Sequence, residues 1–173
     1  MYFKLNNYII MTEVLVTTLK ILFVCLGGIC RAPAAVGTMN FLIAKYNLTG
    51  IEVNSCGTEG YHPGELADER MRNAGLERGI QINTRATVLS KQDFEKYDII
   101  VTMDEHVYED VRFYAGMYQQ KLRPIIDFIT DKKNLTGVPD PFYGSEDDFR
   151  NVLDLLYDGC IGILKEYKYI ENE

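Results

Sequence analysis

Cys25 and Arg31 are the two residues whose types and spacing first point to chemistry. They lie six positions apart and enclose Gly27 and Gly28. A cysteine thiolate can attack phosphorus, and the planar fork of an arginine can hold two phosphate oxygens. The two glycines allow the positive backbone torsions that turn successive amides inward. Because the spacing alone is weak, the interpretation depends on the elements around it.

The segment from Cys25 to Arg31 is placed between a strand and a helix. Leu19 to Cys25 is a nearly continuous apolar run that ends at glycines, which is typical of a strand buried on both faces. The stretch after Pro33 has the apolar spacing of a helix of about four turns. Free N–H groups and the helix dipole at such a junction favour an anion and should lower the pKa of Cys25. We therefore expect a phosphate site with Cys25 as the nucleophile.

Asp140 is the candidate proton donor. It lies between Pro139 and Pro141, in a predicted loop before the last helix. Cleavage of phosphotyrosine expels a phenolate whose conjugate acid has a pKa near about 10, so a positioned acid assists the step. The two prolines restrict the backbone and hold the carboxyl in place. Phe142 and Tyr143 follow and would form a flat apolar wall for the substrate ring.

The order of the elements predicts the fold class. Further strands are expected near 50–56, 97–103 and 122–129, and helices near 64–78, 104–118 and 146–168. This alternation predicts an α/β fold, a three-layer open sheet of about four parallel strands with helices on both faces. The phosphate loop then follows the first core strand, at the carboxyl edge where ligands of such sheets bind.

Length and composition indicate one catalytic domain and exclude several functions. With 173 residues, 47% of them hydrophobic, the chain can fill a single core, which we assign to residues 19–173. Residues 1–18 are expected to be a loosely attached N-terminal extension, with Met11 a candidate start. A net charge of −7 disfavours a nucleic-acid partner and an anionic membrane surface. No segment approaches the length of a membrane span.

The cysteines indicate a reducing compartment, and we expect a cytoplasmic protein. Their number and spacing do not match a disulfide-stapled secreted domain. Cys56 and Cys160 fall on core patterns of a strand and a helix. Cys30 either packs in the core or traps an oxidised Cys25 as a disulfide, so we predict a redox-sensitive cysteine.

At these residues the chain resembles the low-molecular-weight protein tyrosine phosphatases. The hallmarks of that family are a V-C-x-G-N-x-C-R-S-P loop near the start and a D-P-Y-Y-G loop late in the chain. The segment 55–61 resembles the family's loop that carries an aromatic cleft residue, here Tyr61. The segments 68–70 and 103–105 also recur at matching places. The resemblance covers the chain from about Leu19 to the last helix.

The resemblance implies a metal-free hydrolysis through a phosphocysteine intermediate, without a cofactor. Cys25 would be the nucleophile, Arg31 the phosphate clamp and Asp140 the acid and then the base. Asp104 would orient Arg31, and Ser55 would be a second supporting residue. The substrate would be a phosphotyrosine-containing protein or a small aryl phosphate. The residues expected to bind it are Leu26, Gly27, Gly28, Ile29, Cys30, Tyr61, Phe142 and Tyr143.

Three positions depart from the family pattern. Gly28 stands where the family has asparagine, and Thr84 takes the place of the histidine that supports that asparagine. Gly28 reaches the same left-handed torsions without side-chain support, so we expect a less rigid loop. Ala32 stands where the family has a serine or threonine hydroxyl that donates to the thiolate. We therefore expect catalysis to be weakened but not abolished.

Four alternatives remain. An arsenate reductase of the same fold passes a disulfide along further cysteines, but residues 57–159 contain none. A protein arginine phosphatase of related sequence is expected to have threonine in this loop, at the position where this chain has Ile29. A binding module for phosphate or phosphotyrosine would explain the departures at Gly28 and Ala32. A metal-dependent phosphatase is disfavoured because His62 and His106 are isolated, each a surface or cleft histidine.

Overall fold

The computed structural model describes residues 17–171. The predicted extension 1–18 falls almost wholly on residues 1–16, which lie outside the described part. The strands are β1 Leu19–Cys25, β2 Ile51–Gly57, β3 Ile99–Thr102 and β4 Leu122–Pro124, and the helices are α1 Arg31–Lys45, α2 Glu69–Leu76, α3 Lys91–Lys96, α4 Glu105–Ala115 and α5 Glu146–Glu166. Short 3₁₀ helices span Gly116–Lys121 and Ile125–Asp127.

The strands form one parallel sheet in the order β2-β1-β3-β4. β1 is central, with Cys25 opposite Gly57 of β2 and Val24 opposite Thr102 of β3. All the carboxyl ends therefore meet at one edge of the sheet, where the segment after Cys25 begins. The predicted open parallel α/β fold is confirmed.

Helices cover both faces of the sheet. Ile21 and Phe23 of β1 belong to the core beneath α1, α2 and α5. Leu22 and Val24 point to the opposite face and pack in the core that includes residues of α3 and α4. Successive side chains of a strand point to opposite faces, so a strand buried on both sides is apolar throughout. The apolar run that predicted β1 has this cause.

Three element predictions differ from the structure. α2 begins at Glu69 and not near residue 64, because the carboxylate of Asp68 accepts a hydrogen bond from Arg70 N at 2.9 Å and caps the helix there. β4 ends at Pro124, since its partner β3 also ends at the paired Thr102, and a 3₁₀ turn follows. α3 was not predicted from the sequence, although Ser90 and Asp93 form a capping box at its start.

Candidate active site

The phosphate loop, residues 25–31, joins the end of β1 to the start of α1. Several of its carbonyl groups accept hydrogen bonds from backbone amides outside the loop, and the N–H groups of Gly28 and Ala32 lie near the Cys25 sulfur. Three of these hydrogen bonds come from segments distant in the sequence: Cys25 O accepts from Thr58 N at 2.9 Å, Leu26 O from Glu59 N at 2.9 Å, and Ile29 O from Asp68 N at 2.8 Å. This backbone arrangement suits an anion.

Gly28 has the left-handed conformation predicted for it, with φ 69°. A Cβ atom at Gly28 would lie 2.9 Å from the backbone nitrogen of Gly57, so the two glycines pack directly against each other. The hydroxyl of Thr84 is buried and has no hydrogen-bond partner among residues 17–171. Within the same range, no hydrogen bond joins the Ser55 hydroxyl to the phosphate loop. Gly28 is therefore held by packing against the backbone of Gly57, without support from a side chain.

Arg31 is buried, with 2% of its side chain exposed, and connects three parts of the chain. Its Nη1 donates to a carboxylate oxygen of Asp104 and, at 3.0 Å, to the carbonyl of Val138. Its Nη2 donates to Asp140 Oδ2 at 3.1 Å. The other carboxylate oxygen of Asp104 accepts from Val107 N at 2.8 Å and caps α4. Asp104 thus lies where it can orient Arg31, in the place expected for it.

The acid loop, residues 137–143, lies against the end of β3. Val138 N donates to Met103 O at 2.7 Å. A Cβ atom at Gly137 would lie 2.6 Å from the same carbonyl oxygen, so only glycine allows this close approach. Phe142 N donates to Asp140 Oδ1 at 3.2 Å and fixes the turn that carries the carboxylate. This docking brings Asp140 to Arg31.

The phosphate loop and the acid loop form the walls of a cavity of about 390 Å³. The lining residues are Cys25, Leu26, Gly27, Ile29, Cys30, Arg31, Tyr61, His62, Asp140, Phe142 and Tyr143. The structure therefore brings together most of the residues predicted for the site. Gly28, Ser55 and Asp104 lie outside the lining. His62 is an additional member, with Nδ1 3.1 Å from Glu65 Oε2.

Aromatic rings form the outer part of the cavity. The rings of Phe142 and Tyr143 meet edge to face, with their centroids 4.9 Å apart. Tyr143 is 97% exposed and Tyr61 is 63% exposed, so the rim is open to solvent. A flat aromatic group can enter between these rings and bring an attached phosphate to the loop.

Burial dominates the electrostatics of Cys25. The enclosed sulfur raises the pKa of the thiol above its ordinary value, while the Arg31 charge and the N–H groups of Ala32 and Gly28 lower it and Asp140 raises it. The sequence predicted a lowered pKa for Cys25, and this direction is wrong. The Arg31 charge and the two backbone N–H groups favour the thiolate, but removing the sulfur from water costs more.

The other cysteines are also buried and free. Burial, with a smaller contribution from Asp68, raises the pKa of Cys30. Within residues 17–171, no cluster of three or more histidine, cysteine, aspartate or glutamate side chains is placed to hold a metal ion. In the same part of the chain, every helix is too short or too polar to cross a membrane.

Comparison with known proteins identifies a consistent set of relatives. The family model described as low molecular weight phosphotyrosine protein phosphatase matches residues 20–172. A low molecular weight protein-tyrosine-phosphatase of Bacillus subtilis is 34% identical over 149 residues, covering 84% of this chain and 94% of the relative. The human low molecular weight phosphotyrosine protein phosphatase is 30% identical over 153 residues, covering 86% and 96%.

Solved structures share the fold. The protein tyrosine phosphatase of Entamoeba histolytica, with Hepes in its active site, superposes with a TM-score of 0.84 at 39% identity and covers 88% of this chain and 98% of its own. The YwlE arginine phosphatase of Bacillus subtilis superposes with a TM-score of 0.79 at 25% identity, covering 87% and 96%. Of these two structures, the Entamoeba histolytica tyrosine phosphatase is the more similar to this chain.

Proposed function

The chain belongs to the low molecular weight phosphotyrosine protein phosphatase family and is a protein tyrosine phosphatase, and on this premise we propose that Cys25, Arg31 and Asp140 carry out its reaction. One observation supports this assignment above the others. The Cys25 thiol, the Arg31 guanidinium and the Asp140 carboxylate line the same cavity, although they come from distant parts of the chain. A nucleophile, an anion clamp and a proton donor are the groups that phosphoester hydrolysis without a metal requires.

Substrate binding places the phosphate in the phosphate loop. The loop N–H groups and the Arg31 fork hold its oxygens, and the substrate ring lies against Phe142 and Tyr143. Nη2 of Arg31 is bound to Asp140 in the structure, so it turns from the carboxylate to the phosphate. This exchange frees Asp140 to meet the oxygen that joins phosphorus to the ring.

The first chemical step forms the phosphocysteine. The thiolate of Cys25 attacks phosphorus, and the bond from phosphorus to the phenolic oxygen breaks. Once released from Arg31, the Asp140 carboxylate takes up a proton, which balances the one that the Cys25 thiol loses, and gives it to that oxygen, so the product leaves as a neutral phenol. Arg31 stabilises the charge that spreads over the phosphate oxygens in the transition state. Attack uses the deprotonated fraction of Cys25, which Arg31 and the loop amides favour against burial.

The second step releases phosphate. Asp140, now a carboxylate, accepts a proton from a water molecule as the water oxygen attacks phosphorus. The sulfur–phosphorus bond breaks, and its electron pair returns to Cys25 as a thiolate. The N–H groups of Ala32 and Gly28 and the charge of Arg31 stabilise this thiolate, because each lowers the pKa of Cys25. No second protein nucleophile is needed.

The substrate is proposed to be a phosphotyrosine side chain on a protein or a small aryl phosphate. The exposed rings of Tyr61 and Tyr143 support this, since an open rim leaves room for the chain around a phosphotyrosine. Ile29 lies in the cavity lining where arginine phosphatases are expected to have threonine, and its apolar side chain favours an aromatic substrate. Arsenate reduction and a binding-only role have no comparable support.

Domain organisation and compartment are part of the same proposal. Residues 19–173 are proposed to form one catalytic domain, which the single four-stranded sheet supports. A reducing compartment, the cytoplasm, is supported by four cysteines that are all free.

Hydrolysis of para-nitrophenyl phosphate in the presence of EDTA tests the proposed reaction. The protein should turn the substrate over, and Cys25→Ser should abolish turnover because serine is a far weaker nucleophile at this position. Cys160→Ser is the matched control, since Cys160 is buried in α5 away from the cavity. Turnover that survives Cys25→Ser, or that EDTA removes, contradicts the mechanism.

A further inference from the structure

We propose that Arg70 is a positioning residue that couples the phosphate loop to the acid loop. This inference rests on the proposed role of Asp140 as the proton donor. Arg70 lies in the first turn of α2, outside the cavity lining, and the proposed reaction gives it no task. Its side chain nevertheless contacts both of the segments whose relative position the reaction requires.

The first connection runs from Arg70 to the phosphate loop. Its Nε donates to Asp68 Oδ1 at 3.0 Å and its Nη2 donates to Asp68 Oδ2 at 2.8 Å, which is a two-point pairing of fork and carboxylate. The backbone N–H of Asp68 in turn donates to the carbonyl of Ile29 at 2.8 Å. Arg70 is therefore fixed to the residue that holds the middle of the phosphate loop.

The second connection runs from Arg70 to the acid loop. Its guanidinium carbon lies 5.5 Å from the ring centroid of Phe142 and 4.6 Å from that of Phe149. Phe149 is fully buried in α5, so it gives Arg70 a fixed surface. Phe142 is the residue whose N–H donates to Asp140 Oδ1 at 3.2 Å. A cation near the face of a ring attracts it, and this contact holds Phe142 toward α2.

The geometry requires arginine and not merely a positive charge. A guanidinium can pair with a carboxylate through its edge while its flat faces lie near aromatic rings, and an ammonium cannot do both. The Asp68–Arg70 ion pair is partly exposed, with 41% of the arginine side chain accessible, so the pair alone contributes little to stability. The pair acts instead through the position of Phe142, because only Pro141, whose backbone torsion is fixed, separates Phe142 from Asp140 in the chain.

Arg70→Lys tests the coupling through a series of aryl phosphates with different leaving groups. If Arg70 positions Asp140, the variant should lose roughly three- to tenfold in kcat/KM for phenyl phosphate and less than about twofold for para-nitrophenyl phosphate, whose leaving group needs less protonation. Arg72→Lys is the matched control. Arg72 lies on the same helix but donates to the Ala67 carbonyl at 2.9 Å, so this variant should leave the leaving-group dependence unchanged.

The same series in an Asp140→Asn background distinguishes positioning from a general loss of stability. With the acid removed, Arg70→Lys should add no further dependence on the leaving group. An equal loss across the series, an equal effect of Arg72→Lys, or a full effect of Arg70→Lys without the acid would overturn the inference. If the loss of kcat/KM caused by Asp140→Asn alone does not depend on the leaving group, Asp140 is not the acid, and the inference about Arg70 fails with it. This outcome can be seen without any Arg70 variant.

Circular dichroism melting checks that each variant folds. Arg70→Met serves in the same assay if Arg70→Lys does not fold, because methionine keeps apolar contact with Phe149 but lacks the fork. It should show the same selective loss for phenyl phosphate. Failure of both variants to fold would show that Arg70 serves the fold as a whole and would overturn the inference.

Discussion

Arg31 Nη2 lies 3.1 Å from Asp140 Oδ2, so the proposed phosphate clamp and the proposed acid are bound to each other. Asp104 also binds Arg31, and the guanidinium is therefore shared between two carboxylates. A phosphate that enters the loop competes with Asp140 for the same nitrogen. In the proposed mechanism, binding of the anion and release of Asp140 from Arg31 are then one event, which ties the protonation of the leaving group to the binding of phosphate.

Asp140→Asn should slow turnover by roughly 10²- to 10³-fold for phosphates with poor leaving groups, which is the usual contribution of a general acid. Substrates with good leaving groups should lose less in the first step. Steady-state rates across a series of substituted phenyl phosphates measure this dependence. An equal loss for all members would show that Asp140 holds the acid loop and does not protonate the departing oxygen.

Arg31→Met and Asp140→Asn should move the pKa of Cys25 in opposite directions. The Arg31 charge lowers that pKa and the Asp140 charge raises it, so loss of the first should raise the pKa further and loss of the second should lower it. The pH dependence of Cys25 alkylation by iodoacetamide, followed by peptide mass spectrometry, gives both values. Arg31→Lys keeps the charge and should raise the pKa less than Arg31→Met. Shifts of the same sign in both variants would contradict this account.

Mild peroxide should inactivate the enzyme reversibly through a disulfide between Cys25 and Cys30. Peroxide oxidises the Cys25 thiolate to a sulfenic acid, and the Cys30 thiol then displaces water to form the disulfide. Both residues are free and line one cavity. Dithiothreitol should restore activity in the protein and in Cys160→Ser, but recovery should fall in Cys30→Ser. Peptide mapping that finds no Cys25–Cys30 disulfide would refute the prediction.

Ala32→Ser should lower the pKa of Cys25 and raise the steady-state rate. The Ala32 side chain is fully buried, and the backbone N–H of Ala32 already lowers the pKa of Cys25. A hydroxyl donor to a charged group contributes about 1.5–3 kcal/mol, so its absence corresponds to roughly 10- to 150-fold in the step that releases the thiolate. Slow breakdown of the phosphocysteine should therefore give the unaltered protein a burst of phenol in rapid mixing.

Ala44→Ser is the control for that experiment. Ala44 is an exposed residue of α1, so this substitution adds the same hydroxyl away from the buried sulfur. It should alter neither the pKa nor the burst. If Ala32→Ser also leaves both unchanged, another donor already serves the thiolate.

The local features of the site could be predicted because each carries its signal in adjacent residues. The apolar run of β1 gave its bounds, Leu19–Cys25, without error. The glycines beside Cys25 marked the phosphate loop, and the prolines around Asp140 marked the acid loop. α3 was missed although the capping box between Ser90 and Asp93 was visible in the sequence.

Features that depend on tertiary contact could not be predicted in the same way. The carbonyl of Val138 binds Arg31, yet any residue offers a carbonyl, so nothing in the sequence distinguishes it. His62 lines the cavity because of the path of its loop, and no sequence motif indicates this position. The pKa of Cys25 was predicted in the wrong direction because the enclosure of the sulfur depends on packing from several elements.

The wide sequence separation of the Arg31 contacts has a consequence for synthesis of the protein. Asp104, Val138 and Asp140 follow Arg31 by 73, 107 and 109 residues. At ordinary translation rates the ribosome needs roughly 5–20 s to make that stretch, so the nascent chain carries Cys25 and Arg31 well before the groups that complete the site. In the proposed mechanism, activity therefore arises only after residue 140 has been made, and a product that stops before residue 138 contains the Cys25 thiol without the groups that complete the site.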